Sequence, residues 1–153
     1  MTRAKPTGWD QPIKASALRV PRATYTDPEI AAIGLSEAEA RRLHGDRVQV
    51  LTAPFSGNDR AIAEAQTGGM GKLILSPKGQ VLGAALVGPG AGDLIQPWIL
   101  AINSGLKLTA MTAFIAPYPT RGEINKRLAG QYYTPMLFSG RTRLLVSLLK
   151  RLG

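Results

Sequence analysis

Short runs of apolar residues, separated by glycine, proline and polar residues, divide the first two thirds of the chain into strand-length segments. Ser76-Pro77-Lys78-Gly79 has the proline and glycine of a tight turn, and the apolar runs on either side of it predict an antiparallel hairpin. A turn at Asp27-Pro28 is predicted to end the first strand, because proline disfavours helix in the residue before it. The predicted strands span residues 18–26, 48–55, 71–75 and 80–87.

The later part of the chain repeats its apolar residues at the three- and four-residue spacing of helices. Ser36 and Glu39 form a capping box, in which two side chains satisfy free backbone donors at the start of a helix, and Thr120 and Glu123 repeat the pattern. The predicted helices span about 37–43, 93–106, 108–114 and 120–129, with a basic, leucine-striped amphipathic helix over 141–152.

Strands that precede helices, joined in part by a hairpin, indicate the fold class. This order predicts an α+β domain with an antiparallel sheet of about four to five strands, covered by helices on one face. The 153 residues, 44% of them hydrophobic, suffice for one core. We divide the chain into a linker or chain edge (1–17), a folded domain (18–130) and a C-terminal extension (131–153) that combines aromatic residues with the basic amphipathic helix.

The composition excludes several kinds of chemistry. The absence of cysteine excludes a disulphide, a thiolate metal site and a redox cysteine pair within this chain, and the single histidine, His44, excludes a multi-histidine metal site. No apolar signal region or membrane-spanning run is present in the sequence, so we expect a soluble, cytoplasmic protein. The formal net charge of +9 is concentrated after Pro119, where Glu123 is the single acid.

Two glycine-rich segments invite comparison with phosphate-binding loops. Gly88–Asp93 (GPGAGD) follows a predicted strand and opens a predicted helix, but Asp93 stands where the dinucleotide fingerprint needs glycine, and its carboxylate repels phosphate. Gly68–Lys72 (GGMGK) lacks the flanking residues of a P-loop and is predicted to lead into a strand. A small nucleotide-binding domain or enzyme centred on Gly88–Asp93 remains the alternative function.

Two further features favour structural roles, and a third argues against nucleic-acid binding. Asn58-Asp59-Arg60 lies in a predicted polar loop, where a turn is favoured over an interface contact. His44 falls at a predicted helix end and is expected to be a solvated, cap-like residue. The positive charge comes with few aromatic residues and no recognisable nucleic-acid motif, so we predict no nucleic-acid partner.

The segment Ala116–Glu123 (APYPTRGE) is the most informative of the chain. An aromatic residue before proline favours a cis bond, which would aim Tyr118 from a fixed turn directly before a helix. Either Tyr118 is functional or it packs at the helix entrance, and the capping box by itself explains Glu123. A lone tyrosine acts as an acid or donor only with a partner site.

Four segments between Val20 and Ala129 together resemble one protein family. They read VPRATYTDPEIAAIGLSEAEAR, FSGNDRAIAEAQTGGMGKLIL, GQVLGAALVGPGAGDLI and APYPTRGEINKR. They are similar to the dimerisation domain of the FAD-dependent pyridine nucleotide-disulphide oxidoreductases, which include dihydrolipoamide dehydrogenase, glutathione reductase and mercuric reductase. The resemblance implies a homodimer in a parent protein whose upstream domains bind FAD and NAD(P)H, with no cofactor, metal or activity in this chain alone.

In that family a His-Pro-Thr-x-x-Glu segment of one subunit reaches the flavin and redox disulphide of the other. The matching frame begins at Tyr118, so the resemblance implies that Tyr118 and Glu123 contribute to catalysis in trans and that Pro119 and Thr120 lie near the partner's flavin. With an ordinary pKa of about 10, tyrosine is a poor substitute for histidine in near-neutral proton transfer. In having tyrosine at this position, the chain resembles the mercuric reductase branch of the family. It lacks the carboxy-terminal cysteine pair of that branch.

The C-terminal extension departs from the resemblance. A basic amphipathic helix with a leucine stripe either lies on an anionic membrane surface or packs on a protein partner, and the sequence leaves both interpretations open.

Overall fold

The computed structural model describes residues 20–138 and 140. Five strands form one antiparallel sheet in the order β1-β2-β5-β4-β3, which confirms the predicted fold class. The strands are β1 (Arg22–Thr24), β2 (Ile30–Gly34), β3 (Gln49–Pro54), β4 (Met70–Leu75) and β5 (Val81–Val87). The helices are α1 (Glu37–His44), α2 (Asp59–Ala63), α3 (Ala91–Leu94), α4 (Gln96–Asn103), α5 (Leu108–Ala113) and α6 (Glu123–Leu137). Residues 1–17 and the helix predicted over 141–152 lie outside the described residues.

The predicted hairpin is confirmed as β4 and β5. Its turn is closed by a hydrogen bond of 2.9 Å from the Gly79 backbone N–H to the Ser76 carbonyl. Gly79 has a φ of +77°, and a Cβ atom added there would overlap the end of the Tyr132 side chain of α6. The left-handed backbone conformation therefore favours glycine at this turn, and any larger residue would also have to displace the Tyr132 ring.

The sequence does not predict β2, and the described part of the strand expected over 18–26 pairs only at Arg22–Thr24. The segment IAAIG is short and carries two alanines, which have low strand propensity. It becomes a strand because β1 and β5 pair with it on both sides.

The prediction of one continuous helix over 93–106 is wrong. The segment forms two helices, α3 and α4, which are separated at Ile95. Pro97 explains the break, since it has no backbone N–H and its ring conflicts with the carbonyl four residues earlier. The polar loop predicted around Asn58 also contains a helix, α2. In contrast, α6 passes its predicted end at Ala129 and continues to Leu137.

The main core lies between one face of the sheet and helices α3 to α6. Trp98 of α4 is fully buried, and its indole Nε1–H donates to Asn125 Oδ1 of α6 at 2.7 Å. Asn125 in turn donates from Nδ2 to the Leu94 carbonyl at 2.9 Å. A buried polar group is stable only when it has a partner, so this chain of hydrogen bonds fixes α6 against α3 and α4.

The other face of the sheet is covered only in part. Helix α1 packs over one end through a smaller cluster of Leu35, Ala40, Val48 and Ile74. A salt bridge of 3.1 Å between Lys72 Nζ of β4 and Glu37 Oε2 lies beside this cluster. At the other end, the large apolar side chains of Ile30 and Met70 are exposed.

Candidate functional site

The loop between α5 and α6, residues 114–122, carries Tyr118 and is called the Tyr118 loop below. The peptide bond between Tyr118 and Pro119 is cis, which confirms the prediction. The Tyr118 side chain is 71% exposed, and its hydroxyl donates to Asp59 Oδ2 at 2.8 Å. Tyr118 is therefore not packed into a helix entrance but presented at the surface with its hydroxyl held.

The amino-terminal end of α2 anchors this loop. The Asn58 side chain caps α2 by accepting from the Ala61 backbone N–H at 3.0 Å. With its other amide atom, Nδ2, Asn58 donates to the Thr120 carbonyl at 3.0 Å. Asn58 is only 6% exposed, and these two hydrogen bonds satisfy both its amide oxygen and its amide nitrogen away from solvent. Asn58 thus has the structural role that its turn-forming chemistry favoured.

The carboxy-terminal end of α2 provides a second anchor. The Arg121 guanidinium donates from Nε to Glu64 Oε2 at 2.9 Å and from Nη2 to Gln66 Oε1 at 2.6 Å. Glu64 also accepts from Arg60, four residues earlier in the chain. The hydrogen bonds from Arg121 and Arg60 hold the pKa of Glu64 below its ordinary value, so the carboxylate stays charged at neutral pH.

Thr120 and Glu123 form half of the predicted capping box. The Thr120 backbone N–H donates to Glu123 Oε2 at 3.3 Å, which is the glutamate half. The Thr120 hydroxyl instead donates to the Pro117 carbonyl at 2.8 Å. Glu123 therefore closes the start of α6, while Thr120 shapes the backbone around Tyr118.

The electrostatics of the site keep Tyr118 protonated. The hydrogen bond to Asp59, the charge of Asp59, slight burial and the charge of Glu123 all raise the pKa of the Tyr118 hydroxyl above its ordinary value of 10.0. At neutral pH the side chain is a neutral phenol, so it can form hydrogen bonds but cannot act as a general base.

A shallow cleft of about 320 Å³ lies beside the site. Asn58, Asp59 and Glu123 contribute to its wall together with Lys126 and Arg127 of α6. The cleft brings side chains of both charge signs together beside Asp59, the residue that accepts the Tyr118 hydroxyl. Among the described residues, no group of three or more histidine, aspartate or glutamate side chains is arranged to hold a metal ion.

The Gly88–Asp93 loop is occupied by a carboxylate of the chain itself. The Gly92 backbone N–H donates to Glu29 Oε2 at 3.2 Å, and the Gly88 N–H donates to the Glu29 carbonyl at 2.9 Å. A phosphate placed there would meet the negative charges of Glu29 and Asp93. The loop therefore does not fit the pyrophosphate of a dinucleotide.

The remaining candidates have structural positions. Gly68–Lys72 leads into β4, as predicted, and Lys72 pairs with Glu37. His44 is the last residue of α1, where its position at the helix carboxyl end agrees with a cap-like role. In the part of the chain that the structure describes, no helix is long and apolar enough to cross a membrane.

The comparison with protein families decides the identity of the fold. The family model described as "Pyridine nucleotide-disulphide oxidoreductase, dimerisation domain" matches residues 20–129. The chain belongs to this family. The match spans the whole sheet, includes the Tyr118 loop and ends within α6.

Curated relatives of this dimerisation domain carry the name dihydrolipoyl dehydrogenase. The protein from Bacillus subtilis is 35% identical over 112 residues, which are 72% of this chain and 24% of the relative. The protein from Rhizobium etli is 36% identical over 120 residues, 78% of this chain and 25% of the relative. The chain thus spans about a quarter of the length of the relatives it matches.

Solved structures give the same fold. LpdA from Mycobacterium tuberculosis superposes with a TM-score of 0.71 at 24% identity, over 77% of this chain and 26% of that one, and supports the fold alone. The HOCl-induced flavoprotein disulfide reductase RclA from Escherichia coli, in a Cu(II) complex, has a TM-score of 0.69 at 27% identity. That match covers 74% of this chain and 26% of RclA.

Sequence reasoning singled out Asn58 and Asp59 of this dimerisation domain as turn residues but missed their contacts with the Tyr118 loop, and it did not single out Glu64. Asp59 contacts Tyr118 of the loop, and Glu64 contacts Arg121 of the loop. In each pair the two residues are more than fifty positions apart in the sequence. One local signal was available, because Asn58 is a favoured N-cap residue and Asp59 suits a first helical turn. The pairing of α2 with the loop has no local signal, since it depends on the folded sheet.

Proposed function

We propose that this chain is the homodimerisation module of a flavoprotein pyridine nucleotide-disulphide oxidoreductase and that it contributes Tyr118 and Glu123 to the flavin and disulphide site of the partner subunit. The observation that carries the proposal is the Tyr118 loop. It exposes an aromatic side chain whose hydroxyl and flanking backbone are held by α2. Surface loops supported by a rigid scaffold commonly carry binding and catalytic residues.

In this proposal, FAD and NAD(P)H bind to other domains of the same protein. The Gly88–Asp93 loop, which resembles a dinucleotide fingerprint, is closed by Glu29, and this supports cofactor sites in other domains. Pro119 and Thr120 would then lie near the partner's flavin. FAD and NAD(P)H carry the redox chemistry when bound, and this chain supplies orientation and hydrogen bonding.

Tyr118 and Glu123 act in different ways. Tyr118 is a neutral phenol and serves by hydrogen bonding rather than by taking up a proton near neutral pH. Glu123 accepts the Thr120 N–H and fixes the start of α6 below the loop. We therefore propose chemistry unlike that of family members with histidine at this position and closer to the mercuric reductase branch, with the substrate unassigned.

The alternative function, nucleotide binding at Gly88–Asp93, predicts measurable heat when the isolated chain is titrated with NAD, FAD or ATP. The dimerisation proposal predicts none, because Glu29 and Asp93 repel phosphate. It also predicts that the isolated chain does not oxidise NADH or NADPH. Cytoplasmic location and membrane-surface contact by the C-terminal extension stay predictions.

Sedimentation equilibrium of the chain tests dimerisation directly. We expect a concentration-dependent species of twice the mass of one chain. A species that stays strictly monomeric up to millimolar concentration would contradict a self-sufficient dimerisation module.

A further inference from the structure

Asp59 lies 59 positions before Tyr118 in sequence, yet its carboxylate is 2.8 Å from the Tyr118 hydroxyl. It occupies the first residue of α2, directly after the Asn58 cap. A carboxylate in the first turn of a helix is stabilised by the free backbone N–H groups and the helix dipole. The position of Asp59 is therefore fixed by the same local structure that anchors the loop.

The hydrogen bond to Asp59 is one of several restraints on the same short segment. The Thr120 carbonyl is held by Asn58, the Pro117 carbonyl by the Thr120 hydroxyl, and Arg121 by Glu64. These contacts fix the backbone on both sides of Tyr118 but leave its exposed ring free to rotate about the side-chain bonds. The contact with Asp59 removes that freedom at the tip of the ring.

A phenol has one O–H donor and acceptor lone pairs on the same oxygen. Here the O–H donates to Asp59, so the lone pairs remain for a second partner. The negative charges of Asp59 and Glu123 act on this oxygen and disfavour an anion there. Arg121 of the same loop is paired with Glu64, and Lys126 and Arg127 of α6 line the cleft beside Asp59. Tyr118 is thus prepared to accept a hydrogen bond from a neutral or cationic donor.

We propose that Asp59 is a positioning residue that orients Tyr118 and holds its proton, so that Tyr118 presents an acceptor oxygen to a hydrogen-bond-donating group. That this group belongs to the partner subunit's site rests on the function proposed above. The pairing of Asp59 with Tyr118 is independent of that function and is tested on this chain.

The test is a pH titration of the chain labelled with ¹³Cζ-tyrosine, read by NMR. Tyr118→Phe assigns the Tyr118 signal among the four tyrosines. Asp59→Asn is expected to move the Tyr118 titration to lower pH than in the unmodified chain, because the charged acceptor is gone. Asp59→Ser also removes the carboxylate, and serine is well tolerated at the start of a helix. This variant repeats the test if the asparagine variant does not fold.

Asp93→Asn is the matched control, because Asp93 also lies in the first turn of a short helix but makes its hydrogen bond to Gln96. We expect it to leave the Tyr118 titration unchanged. Identical Tyr118 titrations in the Asp59 variants and the unmodified chain would overturn the assignment of Asp59, whatever the function of the domain.

A second arm uses the complete oxidoreductase that contains this chain. If Tyr118 must remain protonated, Asp59→Asn moves the alkaline fall of kcat/KM to lower pH, whereas Asp93→Asn does not. A shifted NMR titration with an unmoved alkaline fall would keep the pairing but overturn the role of Tyr118 in the partner's site. Failure of the positioning and failure of the proposed function are therefore distinguishable.

Discussion

Two helices of this domain begin with the same sequence pattern and start in different ways. In α1 both halves of the capping box form, since the Ser36 N–H donates to Glu39 Oε2 at 2.8 Å and the Glu39 N–H donates to Ser36 Oγ at 3.3 Å. At α6 the glutamate half forms, while the Thr120 hydroxyl donates to the Pro117 carbonyl.

The difference follows from what holds each helix. Helix α1 lies on the sheet face that is covered only in part, and Ala40 is its one buried residue. Helix α6 inserts Ile124, Asn125, Leu128 and Ala129 into the core. A helix fixed by burial depends less on its cap, so the Thr120 hydroxyl is available to shape the Tyr118 loop.

The largest effect is expected in the core contact of α6. Leu128→Ala removes a fully buried side chain that packs above Gly71 of β4, and it should lower the free energy of unfolding by about 2–5 kcal/mol. Urea unfolding of the chain measures this loss. Leu43→Ala on α1 is the matched control, since Leu43 is exposed and should cost less than about 0.5 kcal/mol. Equal losses in the two variants would remove the contrast between the helices.

A smaller loss is expected at the cap of α1. Ser36→Ala removes the side-chain half of a complete box and should cost about 1 kcal/mol in urea unfolding. Ser36→Asp restores a side-chain acceptor and should recover most of that loss. No loss in Ser36→Ala would show that the box observed at α1 contributes nothing to stability.

The same cap has a pH dependence with a defined sign. Hydrogen bonds from the Ser36 hydroxyl and backbone N–H hold the pKa of Glu39 below its ordinary value of 4.5. A carboxylate with a lowered pKa stabilises the fold above its unfolded pKa and loses that contribution as the pH falls through the folded pKa. The difference between Ser36→Ala and the unmodified chain should therefore shrink below pH 4.5.

The smallest effect on stability is expected at Thr120. Thr120→Ala should cost less than Ser36→Ala, because the hydroxyl does not cap α6. It should nevertheless alter the NMR signal of Tyr118, since the hydroxyl holds the backbone one residue before that side chain, at Pro117. Thr120→Ser, which keeps the hydroxyl, is the control and should retain the signal. A Thr120→Ala loss as large as that of Ser36→Ala would contradict the division of roles between the two boxes.

The sequence predicts what depends on neighbouring residues. The Ser36 box, the hairpin turn at Gly79 and the cis bond at Pro119 each follow from a few adjacent side chains, and each is present. The position of Tyr118 in a turn directly before a helix is predicted for the same reason, whereas its exposure is not.

Contacts between distant segments are not predictable in this way. The strand β2 exists because β1 and β5 flank it, and α6 extends to Leu137 while Tyr132 and Tyr133 pack against the core. The hydrogen bond between Asp59 and Tyr118 likewise needs the sheet to bring α2 beside the loop. Propensity alone carries no information on such pairings.

The central claim, that Tyr118 and Glu123 serve the partner subunit, is tested most directly by hybrid dimers of the complete oxidoreductase that we propose contains this chain. One subunit carries Tyr118→Phe and Glu123→Gln, and the other carries an inactivating substitution of a redox cysteine in its flavin domain. Each homodimer should be impaired. If the two residues act in trans, the hybrid has one intact site and regains up to half of the activity of the unmodified dimer. A hybrid with no activity above that of the two impaired homodimers would contradict the account.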